Sequence, residues 1–280
     1  MVIERVSGVG RAILVVGLLV LPRTVSGQDE RSQPLQELFL TEVVYPQEKG
    51  EIQLMLGSLL DRSPSDLPAL LPLAIEYGLT NRWQIEAGWD GYTQFHRSPV
   101  THLRTARFSV GTKYSVMNIA HSPAHAAFGV DVEFPSADVL PDGEGEHDME
   151  IEPFAAFAAD LRGRVTVFGS AGASLAPQEV ADLARRGDRP DDRGTVSFGA
   201  LIAFHRATLA AEYTTRSDGL PWRLNGAPLV TPSIVIHPGH EWELAVGMPI
   251  GVRETHRRPG VAVQIVKEFC TRKTCESGGR

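Results

Sequence analysis

The stretch LAIEYGLTNRWQIEAG, residues 73–88, decides the fold. Leu73, Ile75, Tyr77 and Leu79 alternate with Ala74, Glu76 and Gly78; after the corner Asn81-Arg82, Trp83, Ile85, Ala87 and Trp89 alternate with Gln84, Glu86, Gly88 and Asp90. A period of two puts one set of side chains on each face of a strand, and two such runs joined by a two-residue corner form a hairpin.

The same period runs outward in both directions. Upstream, Ile52, Leu54 and Leu56 oppose Glu51, Gln53 and Met55; downstream, alternation marks 106–116, 126–134, 150–160, 165–175, 196–204, 208–215, 229–236, 242–250 and 261–269. That makes about twelve strands. Their connections alternate in length: tight at 81–82, 118–123, 161–164, 205–207 and 237–241, long at 61–70, 93–101, 135–149, 176–194, 216–228 and 252–259. An even number of strands, with short turns at one end and long polar loops at the other, is the layout of an outer-membrane barrel. The expected fold class is all-β: one antiparallel transmembrane β-barrel of about 12 strands, with short periplasmic turns and longer extracellular loops.

A soluble sandwich or barrel would share the alternation with its apolar face turned inward. Two features favour lipid on the apolar side. Tyr77, Trp83, Tyr114, Phe204, Trp242 and Phe269 gather beside the short turns, as an interfacial aromatic girdle does. The opposite face carries Glu76, Glu86, Asp90, Arg107, Lys113, Asp131, Glu133, Glu152, Glu212 and Glu243, the expected lining of a lumen. Acids outnumber bases among them, so a wet lumen would favour cations or neutral polar solutes over anions. The structural alternative is a packed polar core in which acids and bases cross-link the walls. The last strand, 261–269, ends its outward set Val261, Val263 and Ile265 on Phe269, as closing strands of such barrels do; Lys267 interrupts that stripe near the interface, where it can snorkel.

Composition removes other classes. A hydrophobic content of 42% over 280 residues, with no long charge-free apolar run beyond the N-terminus, excludes a bundle of membrane helices. The net charge of −7 and scattered basic residues leave no nucleic-acid footprint. Residues 1–27 read as a secretory signal peptide: Arg5 and Arg11 precede an apolar core over 12–21, then Pro22 and the small residues Ser26-Gly27. Cleavage there removes Glu4, Arg5, Arg11 and Arg23 and takes the net charge to −9. The expected organisation is a signal peptide at 1–27, an N-terminal periplasmic segment at 28–50, the barrel at 51–269 and a tail at 270–280.

The stretches LFLTEVVYPQEKGEIQLMLG (38–57), LAIEYGLTNRWQIEAG (73–88), FSVGTKYSV (108–116) and WELAVGMPIGV (242–252) resemble the outer-membrane barrels grouped as transporters of the phenol meta-cleavage (MetA) pathway. The resemblance covers most of the mature chain and rests on strand-and-turn phrases. It implies an outer-membrane protein passing small, often aromatic or hydrophobic molecules, and it brings no catalytic residues to carry over.

Sites for chemistry are sparse. His121 and His125 have metal-like spacing, but Ser122-Pro123 between them breaks a helix and favours a solvated turn; His237 and His240 flank a Pro238-Gly239 corner. No strand offers a serine and histidine pair with triad geometry, so no catalytic residue, metal or cofactor is expected. Cys270 and Cys275 fall in an oxidising compartment and could close a small disulfide loop. The expected partners are outer-membrane lipid, the barrel-assembly machinery during insertion and an unidentified small-molecule solute, with no nucleic acid. The function this supports is an outer-membrane channel or transporter; the alternative is a non-conducting barrel with a surface-binding or envelope-structural role.

Overall fold

The structure is a computed structural model that describes residues 38–60, 67–95, 104–135, 149–161, 164–177, 193–218, 228–239, 241–252 and 259–270. Residues 1–37 with the expected signal peptide, much of the long connections and residues 271–280 with Cys275 lie outside the described residues, so the expected pairing of Cys270 with Cys275 does as well.

Twelve strands run in chain order: β1 (Glu51–Leu60), β2 (Leu67–Thr80), β3 (Trp83–Phe95), β4 (Arg104–Val116), β5 (Ala124–Pro135), β6 (Glu150–Asp160), β7 (Val165–Ser174), β8 (Arg193–Ala203), β9 (Ala207–Asp218), β10 (Leu229–Gly239), β11 (Trp242–Gly247, resuming at Ile250–Gly251) and β12 (Val261–Cys270). Each is antiparallel to the next, and β12 returns to β1 in a continuous register from Glu51↔Cys270 to Leu60↔Val261. The sheet is a closed 12-stranded barrel. Closure satisfies every wall with a neighbour, which hydrocarbon demands because it offers no water to an unpaired N–H or C=O.

Two boundaries differ from the sequence reading. Strands β2 and β3 continue past their alternating cores, with Leu67↔Phe95, Pro68↔Gln94 and Ala69↔Thr93 paired where loops are expected. Pairing within a closed wall carries residues of weak strand propensity along with it. Strand β11 is not continuous to Ile250: it breaks at Met248-Pro249, since Pro249 has no N–H to give the ladder. The wall stays joined there, with the Met248 amide donating to the Pro232 carbonyl at 3.0 Å and the Gly260 amide to the Pro249 carbonyl at 2.9 Å.

The outer face is apolar. Leu54, Leu56, Ile75, Ile85, Val110, Phe128, Phe157, Phe198, Ile202, Leu209 and Val263 are all exposed there, while the inward set includes the buried Gln53, Glu76, Gln84, Lys113, Ser197, Glu212 and Gln264. Trp83, Tyr114, Phe204, Trp242 and Phe269 stand exposed on the outer face beside the short turns, with Tyr77 half-buried among them. Trp83 is paired with Tyr114, and its Nε1 donates to Thr112 Oγ1 at 2.6 Å. Lys267 lies 4.8 Å from the centre of the Trp242 ring and 5.4 Å from that of Phe269, and it pairs with Glu241 at the same end. A second aromatic row, missed in the sequence, joins Trp89, Phe108 and Phe134 as direct neighbours across β3, β4 and β5. It lies six residues above Trp83, or about 20 Å along the strand at about 3.3 Å per residue.

Val110 lies between these two rows on the outer face, and its neighbour Ser109 points inward opposite Glu133. An Arg at the bilayer midplane costs about 2–4 kcal/mol. Val110→Arg is therefore expected to lower stability in lipid vesicles by that amount in urea titrations, and Ser109→Arg, facing an acidic wall, by much less; equal losses would mean that the two faces are assigned the wrong way round.

Candidate functional site

Register turns the inward acids into a row. Gln53 lies opposite Glu76, Glu76 opposite Glu86, Glu86 opposite Gly111, Gly111 opposite Asp131 and Asp131 opposite Glu152, so the row crosses β1 to β6 at one level. Nearer the long loops, Arg107 bridges two carboxylates, with Nε 2.5 Å from Asp90 Oδ2 and Nη1 2.6 Å from Glu133 Oε2. Oxygens of Glu133, Glu150 and Glu152 lie within 4.8 Å of one another, and Glu150 accepts a hydrogen bond from Ser174. Facing this acidic wall, the inner surface of β7 to β10 is hydroxyl-rich and apolar, with buried Thr166, Phe168, Ser197, Leu201, Thr208, Ala210, Thr214, Thr231 and Val235. The interior is polarised across the barrel rather than along it.

Residues 38–50 cross between these two walls. They are the described part of the expected N-terminal segment at 28–50, and they run inside the barrel wall. Leu38, Val43, Val44 and Tyr45 are buried with inward Ala127, Ala156, Ala158, Phe168, Leu201, Ala210, Val235 and Ala245. These wall positions would be wetted in an empty pore, and the segment covers them. On the neutral wall, Glu212 accepts hydrogen bonds from the backbone amides of Phe39 (3.2 Å) and Leu40 (2.9 Å), and Ser197 Oγ donates to the Leu40 carbonyl at 3.1 Å.

On the acidic wall the segment is held by neutral amides. The Gln47 amide donates to Gln84 Oε1 at 3.0 Å, and Gln47 Nε2 donates to Gln53 Oε1 (2.5 Å) and Glu76 Oε2 (3.1 Å). Gln84 Nε2 donates to the same Glu76 oxygen at 2.7 Å. Near the turns, the Lys49 amide donates to Asn81 Oδ1 at 3.0 Å and the Gly50 amide to the Gly78 carbonyl at 2.8 Å. Only glycine fits at 78: a Cβ there would lie 1.9 Å from the Glu48 carbonyl oxygen and 2.7 Å from that of Gln47.

Tyr45 gives the third anchor. Its hydroxyl donates to Asp160 Oδ1 at 3.1 Å, Thr166 Oγ1 donates to the same oxygen at 2.7 Å, and His125 Nε2 lies 3.1 Å from Asp160 Oδ2. His125 Nδ1 accepts the Asn118 amide at 3.0 Å, which fixes the ring proton on Nε2. Both ring nitrogens are thus engaged, and neither faces a hydroxyl nucleophile. His237 Nε2 lies 3.3 Å from Thr208 Oγ1 and its Nδ1 3.4 Å from Glu243 Oε1, with Thr208 buried. His121 and His125 do not form the expected solvated pair: His125 is buried against Asp160, while His121 is exposed in a single 3₁₀ turn, Ile119–His121.

The structure places all ten predicted lining residues on the inner face, and it divides their work. Glu76 and Glu212 hold the internal segment, and Glu243 sits beside His237. Asp90, Arg107 and Glu133 form the bridge towards the loops, while Glu86, Asp131 and Lys113 surround Glu42 of the segment. Glu152 completes the row. Gln47, Gln53, Gln84, His125 and Asp160 were missed; the alternation had already put Gln53 and Gln84 on the inner face, but neutral amides carry no charge to draw notice.

No family model matches the chain, and no curated protein does. Among solved structures, a NanC porin matches with TM-score 0.52 at 13% identity, covering 78% of this chain and 98% of the porin. The KdgM porin, in complex with disordered oligogalacturonate, matches with TM-score 0.50 at 10% identity, covering 77% and 99%. At such identities the likeness shows the fold, and the chain has the porin-like fold of an outer-membrane β-barrel.

The segment's seat is open to a labelling experiment. With Cys270 and Cys275 changed to Ser, a cysteine replacing the buried Val44 should resist a water-soluble maleimide, and adding Gly78→Val should expose it by driving residues 47–48 off the wall. A Val44→Cys thiol that reacts equally in both backgrounds would show that residues 38–50 do not sit in the barrel.

Proposed function

We propose that this protein is an outer-membrane channel for small polar solutes, closed at rest by its own residues 38–50. The observation that carries the reading is an apolar-faced closed barrel with a polar inner face, crossed by one tethered segment that hydrogen bonds hold at both walls. Its likeness in fold to two porins supports passage of small solutes. The carboxylate row supports cations and neutral polar molecules over anions. The resemblance to phenol meta-cleavage transporters supports adding small aromatic molecules to the solutes assayed. No residue is assigned a catalytic role, and the engagement of both His125 nitrogens supports that reading.

In this reading residues 1–27 direct export, the barrel-assembly machinery inserts the strands and the short turns face the periplasm. One observation favours the second reading, a non-conducting barrel with a surface or structural role: the segment fills the half of the lumen nearest the turns.

Planar-bilayer recording separates the two. Wild-type protein should be silent or open rarely, and Glu212→Ala, which removes the acceptor of two segment amides, should raise the open probability at least tenfold. The open state should prefer K⁺ over Cl⁻, less so in 1 M salt, where the Debye length falls to about 3 Å, and less again in Glu86→Gln. Silence of Glu212→Ala, in protein whose fold is verified by its heat-shifted gel mobility, would leave the structural role standing.

A further inference from the structure

We propose that the inner wall is a binding site for peptides, occupied at rest by residues 38–50, and that short peptides are the solute class the opened lumen takes. This rests on the channel reading above and deepens it. The contacts that hold the segment divide into those that depend on its sequence and those that do not. Five wall groups read main-chain atoms: Glu212 takes the Phe39 and Leu40 amides, Ser197 the Leu40 carbonyl, Gln84 the Gln47 amide, Asn81 the Lys49 amide and the Gly78 carbonyl the Gly50 amide. These groups come from β8, β9, β3 and the β2–β3 hairpin, on two facing walls, so they hold a chain that crosses the lumen.

Wall groups that recognise amides and carbonyls are indifferent to which side chains the strand carries. Four of the five are acceptors aimed at main-chain N–H donors, which a peptide supplies along its length. Side-chain selection is confined to three places: the apolar seat of Val43 and Val44, the Asp160–His125–Thr166 corner that takes the Tyr45 hydroxyl, and the Gln53–Glu76 pair that takes the Gln47 amide group. The wall thus combines main-chain reading with a few shallow preferences, as a site for many peptides would.

The test keeps the full chain and leaves the wall untouched. Val44→Asp with Gln47→Ala puts a carboxylate into the apolar seat and removes the amide latch, so the internal segment should leave. A fluorescent synthetic peptide copying residues 38–50 should then bind this variant in detergent, by anisotropy, at least tenfold more tightly than wild type, whose seat is filled. A peptide of the same composition in permuted order should bind within about tenfold of the copy, and Glu212→Ala in the variant should weaken both. In liposomes, the variant should admit triglycine faster than mannitol. No binding by either peptide, with the segment's displacement verified by maleimide labelling at an added Phe39→Cys, would overturn the proposal. So would binding by the copy alone, which would make the wall a seat for its own segment only. Peptide binding without swelling in either solute would keep the site and remove the channel; equal swelling in both solutes without peptide binding would keep the channel and remove the site.

Discussion

The rest of the structure depends on the β1–β12 seam. In hydrocarbon an open sheet edge leaves a column of N–H and C=O groups with no partner, each costing several kcal/mol. A full-length register between Glu51–Leu60 and Val261–Cys270 removes that edge. Closure then fixes everything else: with no edge to spare, each strand must turn one face to lipid and the other to the lumen. Apolar and polar residues sort by parity alone. The prolines obey the same constraint. The Pro232 carbonyl takes the Met248 amide, and Pro249 is the next residue on β11, so both prolines fall where the β10–β11 ladder is interrupted.

Closure also creates an interior that has to be filled or wetted. A barrel of twelve strands encloses more polar side chains than its own walls can pair, and the acidic row from Glu76 to Glu152 has few bases within reach. Arg107 serves Asp90 and Glu133. The segment at 38–50 serves the rest of the lower wall by bringing donors, namely backbone amides and the Gln47 side chain, to Glu212, Gln84 and Glu76. Filling the lumen therefore satisfies Glu76 and Glu212, while the same segment sets Glu42 beside Glu86, Asp131 and Lys113.

The strands were legible because their order is local: alternation of Leu73, Ile75 and Tyr77 with Ala74, Glu76 and Gly78 needs nothing from elsewhere in the chain. The sorting of faces was equally local once lipid was chosen for the apolar side. The internal segment was not legible, because its anchors are remote in sequence. Leu40 meets Glu212 across 172 residues and Tyr45 meets Asp160 across 115. LFLTEVVYPQEKG alone shows no sustained period, and a Pro46 followed by Glu48 and Lys49 looks like a solvated approach to the first strand. Its signal lay on the other side of the contact, in the inward Ala127, Ala156, Ala158, Leu201 and Val235, which are out of place in a water-filled pore. Charge drew attention to the acids on that face and away from these.

The two halves of the segment differ in what leaving would cost. Residues 38–44 cover inward Phe168, Leu201 and Val235, and exposing one such large apolar side chain to water costs about 1.5–3 kcal/mol. Residues 45–50 are held mainly by hydrogen bonds to polar wall groups that water can replace, at a net cost of about 0.5–1.5 kcal/mol each. Gly50, at φ 85°, joins this half to β1 in a backbone conformation that most residues resist. Tied to β1 at one end and to the packed apolar half at the other, the polar half cannot leave far on its own, so the apolar seat sets most of the cost of opening. The Glu212 hydrogen bonds to the Phe39 and Leu40 amides hold the segment on that costly side, so the neutral wall rather than the acidic one governs whether the lumen opens.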